Sequence, residues 1–185
     1  MNYEILVNKY HKIPEKFNPK LTNIKTKYKE DMDNLFLEEK TYEKFLELKK
    51  EALKNNYVIE IESAYRTHEY QQKLFDNLVE EKGLEYAEKY VAKPYTSEHE
   101  TGLAIDFCVF KNNKFIIEHD MANLEETKWV HKNCYKFGFI LRYPKNKEDI
   151  TKYNYEPWHI RYIGDIAEYL YKNNLTLEEY NNIGE

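Results

Sequence analysis

The order of the periodic segments constrains the fold of this chain more than any other feature of its sequence. Apolar residues recur at helical spacing over residues 33–55, which predicts an amphipathic helix, either continuous or broken near Glu39. Residues 57–65 alternate and are rich in β-branched side chains, which predicts a strand, and two helices are expected at 69–82 and 84–92. We expect a loop at 93–102, followed by a hairpin whose strands, 103–110 and 115–118, are joined by a turn at 111–114. A helix is expected at 123–137. Two more strands, 139–143 and 154–160, are expected on either side of a loop at 144–153, and a last helix at 165–172. Helices first and antiparallel strands later predict an α+β fold, with a small antiparallel sheet flanked by helices.

Length and composition describe one folded domain. At 185 residues, with no internal repeat or flexible linker, the chain is predicted to form a single domain over residues 1–185. Residues 1–30, which contain Pro14 and Pro19, are expected to form an extended N-terminal arm. A hydrophobic fraction of 42% excludes disorder. No apolar run is long enough to span a membrane, and residues 1–19 lack the layout of a secretory signal. The chain as it stands is therefore expected in the cytoplasm, and at the cell surface if a leader has been removed.

The net charge and the numbers of cysteines and arginines limit the partners and the kinds of site that this chain is expected to have. A net charge of −5 gives no broad attraction to phosphate, so we expect no nucleic-acid partner. The two cysteines, Cys108 and Cys134, are too few for a disulfide framework and are predicted to be small buried residues. Among 28 basic residues only Arg66, Arg142 and Arg161 are arginines. Because guanidinium forms a rigid fork suited to carboxylates, these three are candidates for recognition or for buried ion pairs.

Two polar segments carry the groups that chemistry requires, SEHETGLAID at residues 97–106 and YEPWH at residues 155–159. His99 lies in the loop before a predicted strand and Asp106 lies on that strand, with Gly102 permitting a tight turn between them. A catalytic zinc takes three protein ligands and keeps one position open for water. His99 and Asp106 supply two such ligands, and His159 is the natural third.

Glu156 stands three residues before His159, which on a flat strand would direct the two side chains to opposite faces. Pro157 argues against a regular strand there, so a kink could aim both at one site. A carboxylate beside a metal-held water can remove its proton and thereby supply a nucleophile at neutral pH. No nucleophile elbow, phosphate-binding loop or H-E-x-x-H motif is present as a competing signal.

The two segments resemble the S-x-H-x-x-G-x-A-x-D and E-P-W-H signatures of zinc D-alanyl-D-alanine carboxypeptidases of the VanY and VanXY type. Their wider superfamily includes L,D-carboxypeptidases, phage endolysin peptidases and the hedgehog signalling domain. The SAYRT block at residues 63–67 and the stretch 138–144 extend the resemblance, which covers about residues 57–164, the expected catalytic core. One departure is Lys152, where the family usually has glycine, and it leaves the shape of that loop open.

The resemblance implies a role for each matching residue. One zinc ion would be bound by His99, Asp106 and His159, with Glu156 as general base. Arg66 would hold the polarised carbonyl oxygen or its oxyanion. A fixed, positively charged guanidinium is suited to this role, because it stabilises negative charge that develops on the oxygen. The remaining site residues are those implied to contact substrate, Ser97 and Gln71, and those bordering the motifs that are expected to shape the pocket, Tyr155 and Trp158.

Other polar residues are given ordinary structural interpretations. Arg142 and Arg161 flank predicted strands and are expected to pair with surface carboxylates. Isolated histidines are usually structural or solvent-exposed, and Glu118 to Asp120 is expected to be a turn or a helix start rather than a metal cluster. The histidines interpreted in this way are His11, His68, His119 and His131.

The resemblance predicts a zinc metallocarboxypeptidase that removes the terminal D-alanine from peptidoglycan precursors ending in D-Ala-D-Ala, with splitting of the free dipeptide as an additional activity. Two alternatives stay open. An L,D-carboxypeptidase acting on tetrapeptide stems would share every catalytic residue, and a non-catalytic zinc-stabilised binding module would resemble hedgehog. The expected partner is a stem peptide or D-Ala-D-Ala, and the biological role stays open among vancomycin resistance, wall recycling and phage lysis.

Overall fold

The computed structural model describes residues 1–29 and 35–182, and within these ranges the chain forms seven strands and seven α-helices. The strands are β1 (Leu21–Asn23), β2 (Phe36–Glu38), β3 (Val58–Ser63), β4 (Ala104–Lys111), β5 (Lys114–Ile116), β6 (Phe139–Leu141) and β7 (His159–Tyr162). The helices are α1 (Glu39–Lys54), α2 (His68–Lys82), α3 (Leu84–Tyr90), α4 (Glu125–Asn133), α5 (Glu148–Thr151), α6 (Ala167–Asn173) and α7 (Leu177–Asn181). No helix in the described ranges is long and apolar enough to cross a bilayer.

An antiparallel five-stranded sheet forms the centre of the molecule, in the order β3-β4-β7-β6, with β5 paired to β4. Strand β4 is buried over most of its length, because β3 and β7 flank it and helices cover the sheet. In the register of β4 with β7, Asp106 lies directly opposite His159. The predicted α+β class is confirmed, and this pairing brings together two segments that are 53 residues apart in the chain.

The predicted helix over residues 33–55 is broken at its start, as one of the two alternatives expected. Strand β2 pairs with β1, and α1 begins at Glu39 immediately after it. The Glu38 carboxylate ends the strand and caps the helix, because it accepts a hydrogen bond from the Thr41 N–H at 2.8 Å. Residues 33 and 34 lie outside the described ranges.

The N-terminal segment contributes to the hydrophobic core as well as lying along it. Val7, Ile13 and Ile24 are buried and belong to the same apolar cluster as Phe45 of α1 and Ile59 of β3. The division of the chain into an arm over residues 1–30 and a catalytic core over residues 57–164 stays a prediction.

The prediction of a strand over residues 154–160 is wrong at its beginning, because β7 begins only at His159. The preceding residues form a turn, closed by a hydrogen bond of 3.3 Å from the His159 N–H to the Glu156 carbonyl. Pro157 within this turn has no N–H to donate to a strand ladder, which explains why the alternating pattern does not continue as a strand.

The loop expected at 144–153 contains the short helix α5, and this helix ends at Lys152, which has a left-handed φ of +63°. Glycine adopts that conformation without strain, which explains why the family described above usually has glycine at this position. In this chain a lysine adopts the same left-handed conformation. Gly138 behaves as a true glycine position. Its φ is +82°, and an added Cβ would lie 2.5 Å from the Tyr162 ring.

Candidate active site

Three potential metal ligands converge at the junction of β4 and β7. His99 lies in the 3₁₀ helix Glu98–Thr101. Gly102 follows this helix with a left-handed φ of +70°, and the chain then continues into β4. One ligand atom from each of His99, Asp106 and His159 lies within 4.8 Å of the other two. All three residues are buried, so the local fold brings together two imidazoles and a carboxylate in a place with little water.

The ring of His99 has a defined orientation. Its Nδ1 lies 2.8 Å from the Ala64 carbonyl oxygen, which can only accept, so Nδ1 carries the proton and donates it. Nε2 is then the lone-pair nitrogen, and it lies 3.1 Å from Oδ2 of Asp106. Burial and the charge of Arg66 hold the pKa of His99 below its ordinary value, so the ring is neutral and able to bind a metal.

His159 is oriented the opposite way. Its Nδ1 lies 2.9 Å from Oδ1 of Asp106, and its Nε2 lies 3.3 Å from Oε2 of the buried Glu98. Burial opposes a charge on this ring, but the hydrogen bonds to the two carboxylates outweigh it and raise the pKa of His159 to about 9. Burial likewise opposes the charge of Asp106, yet the two imidazoles hold its pKa well below the usual range.

These three side chains fit a zinc ion. Two nitrogens and one oxygen are the ligand types of a catalytic zinc site with an open fourth position. Each histidine is held through its other ring nitrogen, His99 by a carbonyl and His159 by a carboxylate, which is how metal-binding histidines are normally oriented. The donor set and its supports therefore match what zinc requires.

Glu156 reaches the same place from the turn before β7. Its N–H donates to the Tyr143 carbonyl at 3.1 Å, and its Oε2 lies 3.8 Å from Nδ1 of His159. The side chain is 24% exposed, so it borders open space. Burial raises the pKa of Glu156 to about 7, and the charges of Asp106 and Glu98 act in the same direction, against His159 and Arg66.

Arg66 follows β3 and points toward the same carboxylate. Its Nη2 donates to Ser63 Oγ at 2.9 Å and lies 3.4 Å from Oδ2 of Asp106. Strand β3 places Ser63 opposite Asp106 in the register with β4, and the Arg66 N–H donates to the His99 carbonyl at 3.2 Å. The guanidinium is thus held beside the three convergent ligands while 24% of its side chain stays exposed.

A cavity of about 710 Å³ opens onto these groups. His99, Asp106, His159, Glu156 and Arg66 all line it. Three of the residues expected to contact substrate or shape the pocket, Ser97, Gln71 and Trp158, line it as well.

Two of the residues predicted around the pocket differ in what they face. Gln71 is buried, its amide NH₂ donates to the Ala92 carbonyl at 2.8 Å, and its Oε1 has no hydrogen-bond partner among the described residues. Tyr155 is not among the residues that line the cavity, and its ring lies under the Lys145 ammonium, 4.8 Å from the ring centre.

The expectation that Arg142 and Arg161 pair with surface carboxylates is wrong, because both are fully buried. Each donates to Oε1 of Glu98 at 2.7 Å, and Arg142 also forms a double hydrogen bond with Glu178. Glu98 was not among the residues expected at the site. The scarcity of arginine in this lysine-rich chain was the available signal, since guanidinium is the cation better suited to burial.

The other histidines have local partners. His68 Nδ1 hydrogen-bonds to Glu100, and His131 Nε2 hydrogen-bonds to the Pro157 carbonyl at 2.8 Å. His119 packs edge-on against Trp158, within the 3₁₀ helix Glu118–Met121 that forms where a turn or helix start was expected.

An antiparallel sheet that presents two histidines, an aspartate and a separate glutamate to one cavity supplies the groups that a zinc-dependent hydrolase requires. Residues 34–165 match the family model described as VanY, D-alanyl-D-alanine carboxypeptidase. The chain belongs to this family of carboxypeptidases, which confirms the predicted enzyme class, and its convergent His-Asp-His group agrees with the predicted zinc cofactor.

Known relatives agree with this assignment. The chain is 39% identical over 183 residues to YodJ of Bacillus subtilis (strain 168). The aligned region covers 97% of this chain and 67% of that protein. It is 44% identical over 132 residues to a D-alanyl-D-alanine carboxypeptidase of Enterococcus faecalis (strain ATCC 700802 / V583), covering 66% of this chain. The chain thus spans about two thirds of the first relative and 47% of the second.

Solved structures are similar over nearly the whole chain. The LD-carboxypeptidase LdcB superposes with a TM-score of 0.87 at 40% identity, over 96% of this chain and 84% of that one. The vancomycin resistance D,D-pentapeptidase VanY, solved in complex with Zn(II), gives a TM-score of 0.83 at 32% identity, over 98% of this chain and 100% of that one.

Proposed function

We propose that this chain is a zinc D,D-carboxypeptidase that removes the terminal D-alanine from peptidoglycan stem peptides ending in D-Ala-D-Ala. The observation that carries the proposal is the position of Glu156. Its carboxylate lies beside three convergent ligand side chains, faces the cavity, and has a pKa raised to about 7. Family membership supports the substrate class, since a relative of this fold, VanYB, was solved in complex with D-alanine-D-alanine.

The metal would be held by Nε2 of His99, Nδ1 of His159 and a carboxylate oxygen of Asp106. These are the atoms left facing the centre once the Ala64 carbonyl and Glu98 have taken the other ring nitrogens. When bound, zinc supplies a water of lowered pKa and a Lewis acid that polarises the scissile carbonyl.

Glu156 is assigned the proton transfers. A carboxylate with a pKa near the working pH both accepts a proton efficiently and returns it efficiently. Glu156 therefore takes the proton from the attacking water and then delivers it to the nitrogen of the departing D-alanine. Its raised pKa follows first from burial.

Arg66 is assigned the carbonyl oxygen. Its guanidinium lies at the cavity wall, held by Ser63, and carries a permanent positive charge. As the carbonyl carbon becomes tetrahedral, negative charge grows on the oxygen, and a fixed donor stabilises that charge more than it stabilises the ground state.

Four further residues are assigned to substrate binding. Gln71 offers a buried amide oxygen without a partner among the described residues, which suits a donor on the substrate. Ser97 and Trp158 line the cavity, and Tyr155, which is not among the lining residues, is assigned because it adjoins Glu156 in sequence. Hydrolysis of the free D-Ala-D-Ala dipeptide is part of the proposal as a secondary activity.

A second candidate, an L,D-carboxypeptidase acting on tetrapeptide stems, is favoured by the similarity to LdcB over 96% of the chain. Both activities use the same metal ligands and the same base. They differ in the stereochemistry accepted before the scissile bond, which the shape of the cavity decides. A non-catalytic binding module is disfavoured, because such a module has no need of a carboxylate placed like that of Glu156.

Matched stem peptides separate the two activities. The purified protein is incubated with a pentapeptide stem ending in D-Ala-D-Ala and with the corresponding tetrapeptide, and released D-alanine is quantified. The proposal predicts release from the pentapeptide, with the tetrapeptide accumulating. Preferential cleavage of the tetrapeptide would establish the L,D activity instead, and absence of release from both with zinc bound would establish the binding module.

A further inference from the structure

A buried cluster of ions adjoins the candidate metal site and includes residues to which no role has been assigned above. Its centre is Glu98, whose side chain is fully buried. One carboxylate oxygen, Oε1, accepts hydrogen bonds from Nε of Arg142 and Nη1 of Arg161, both at 2.7 Å. The other oxygen, Oε2, lies 3.3 Å from Nε2 of His159. One oxygen is thus committed to two guanidiniums, and the other is directed at a candidate metal ligand.

The two arginines are themselves fixed on every side. Arg142 donates from both terminal nitrogens to the two oxygens of Glu178, at 2.8 and 2.7 Å. Arg161 donates to the carbonyl oxygens of Tyr3 at 3.1 Å and Ile5 at 2.9 Å. A bidentate contact and paired carbonyl contacts leave a guanidinium little freedom to rotate.

The cluster joins both ends of the chain to the metal site. Glu178 lies on α7, and it also accepts a hydrogen bond of 3.1 Å from the Asn8 side chain. Asn8, Tyr3, Ile5 and Glu178 all fall outside residues 34–165, which match the carboxypeptidase family. The charges within the cluster balance, since two buried carboxylates face two buried arginines.

We infer that Glu98 is a positioning residue that fixes the His159 ring with Nδ1 toward the metal, and that the terminal segments hold Glu98 in place through Arg142 and Arg161. This inference rests on the proposed function only in assigning His159 as a zinc ligand. Stabilisation of the fold alone is a weak reason for such a cluster, because the cost of desolvation often cancels the net stability gained from buried ion pairs. Positioning of His159 is a separate role.

The contrast between the two histidines supports the inference. His99 is oriented by the Ala64 backbone carbonyl, whose peptide unit is fixed by a backbone hydrogen bond of 3.0 Å from the Tyr65 N–H to the Phe36 carbonyl. His159 is oriented by a side chain, and a carboxylate on a side chain needs its own anchors. Two guanidiniums on the far oxygen supply them and leave the near oxygen free to accept from the imidazole N–H.

The test replaces the two carboxylates one at a time. Glu98→Gln leaves one acceptor oxygen where there were two, so the side chain can satisfy either the arginines or His159, but not both. Glu178→Gln removes the charge that holds Arg142 and leaves Glu98 intact. The matched control is Glu60→Gln, which alters a carboxylate that is equally buried but is paired with Lys49, at 2.6 Å, outside the cavity lining.

Three properties are measured in the full chain: the zinc dissociation constant by competition with a chromogenic chelator, the visible spectrum of the Co²⁺-loaded protein, and the thermal unfolding midpoint. Glu98→Gln is expected to weaken zinc binding by about 10- to 100-fold and to change the cobalt spectrum. Glu178→Gln is expected to weaken zinc binding less, in the same direction. Glu60→Gln is expected to lower the unfolding midpoint and leave the other two properties unchanged.

The inference is overturned if Glu98→Gln and Glu178→Gln bind zinc as tightly as the unaltered protein, whatever their stability. If Glu98→Gln fails to fold, Glu178→Gln decides the question alone, and unchanged zinc affinity in that variant overturns the inference. A failure of the proposed function looks different, because the unaltered protein would then bind zinc and release no D-alanine from either stem peptide.

Discussion

Glu156 and His159 stand three residues apart and present both side chains to one cavity, with Oε2 of the first 3.8 Å from Nδ1 of the second. An extended strand would place them on opposite faces. The turn closed by the His159 N–H and the Glu156 carbonyl removes that restriction. A carboxylate therefore lies close to a candidate metal ligand at a separation longer than a hydrogen bond.

Replacing Glu156 by glutamine removes the base and keeps the shape of the side chain. We expect kcat for D-alanine release to fall by about 10²- to 10⁴-fold, because general base catalysis contributes roughly that factor. Zinc content is expected to stay at one ion per chain, measured on the same sample by elemental analysis. Asp149→Asn, at an exposed position on α5, is the control and keeps full activity. Undiminished turnover in Glu156→Gln contradicts the assignment of the base.

Arg66→Lys keeps a positive charge and removes the guanidinium fork that Ser63 holds. We expect kcat to fall by about 10²- to 10³-fold, the usual cost of removing a donor to a developing oxyanion. The zinc dissociation constant should not change, which separates this effect from damage to the metal site. Equal kcat values for the variant and the unaltered protein would show that charge alone suffices or that Arg66 has another role.

The histidines of the zinc-free protein are expected to titrate far apart. The hydrogen bonds of His159 to Asp106 and Glu98 outweigh burial and raise its pKa to about 9, whereas burial lowers that of His99. A raised histidine pKa stabilises the fold fully below the unfolded value of about 6.5, and this stabilisation is lost as the pH rises through about 9. Zinc must also displace the His159 proton, so zinc affinity falls as the pH is lowered below about 9.

Ring-nitrogen NMR of the zinc-free protein, recorded over a range of pH, measures both midpoints directly. The His159 signals should move near pH 9, and those of His99 below the ordinary histidine midpoint, because burial lowers its pKa. A midpoint for His159 near 6.5 would mean that the two carboxylates do not hold its proton.

Lys152→Gly is expected to stabilise the protein, because Lys152 has a left-handed φ of +63° that glycine adopts without steric strain. A gain of about 1 kcal/mol would raise the thermal midpoint by about 2–4 °C in a chain of this size. Asn146→Gly is the control, at φ +64°, and should gain less because asparagine tolerates this conformation. A lower midpoint for Lys152→Gly would show that the lysine side chain makes a compensating contact.

The periodicity of apolar residues predicted the helices and strands whose formation depends mainly on the sequence within each element. The alternation in residues 57–65 gave β3, and the helical spacing after residue 38 gave α1, because burial of one face requires that periodicity. The convergence of His99, Asp106 and His159 was predictable from motif spacing and family resemblance. The register that places Asp106 opposite His159 could not be read from the sequence, since strand pairing depends on the whole sheet.

The parts that the sequence did not reveal depend on contacts between distant segments. Glu98 has no local pattern of its own, and its importance comes from arginines that are 44 and 63 residues away. Burial of Arg142 and Arg161 follows from those ion pairs rather than from the sequence around them. Strand β1 is three residues long, too short for alternation to be detected, and exists because β2 pairs with it.

Anomalous diffraction at the zinc absorption edge, from crystals of the unaltered chain grown with one equivalent of zinc, locates the metal and its ligands. We expect a single strong peak bound by Nε2 of His99, Nδ1 of His159 and a carboxylate oxygen of Asp106, with the Glu156 carboxylate nearby and uncoordinated. A peak at another cluster, or one in which Glu156 is itself a ligand, would contradict this expectation.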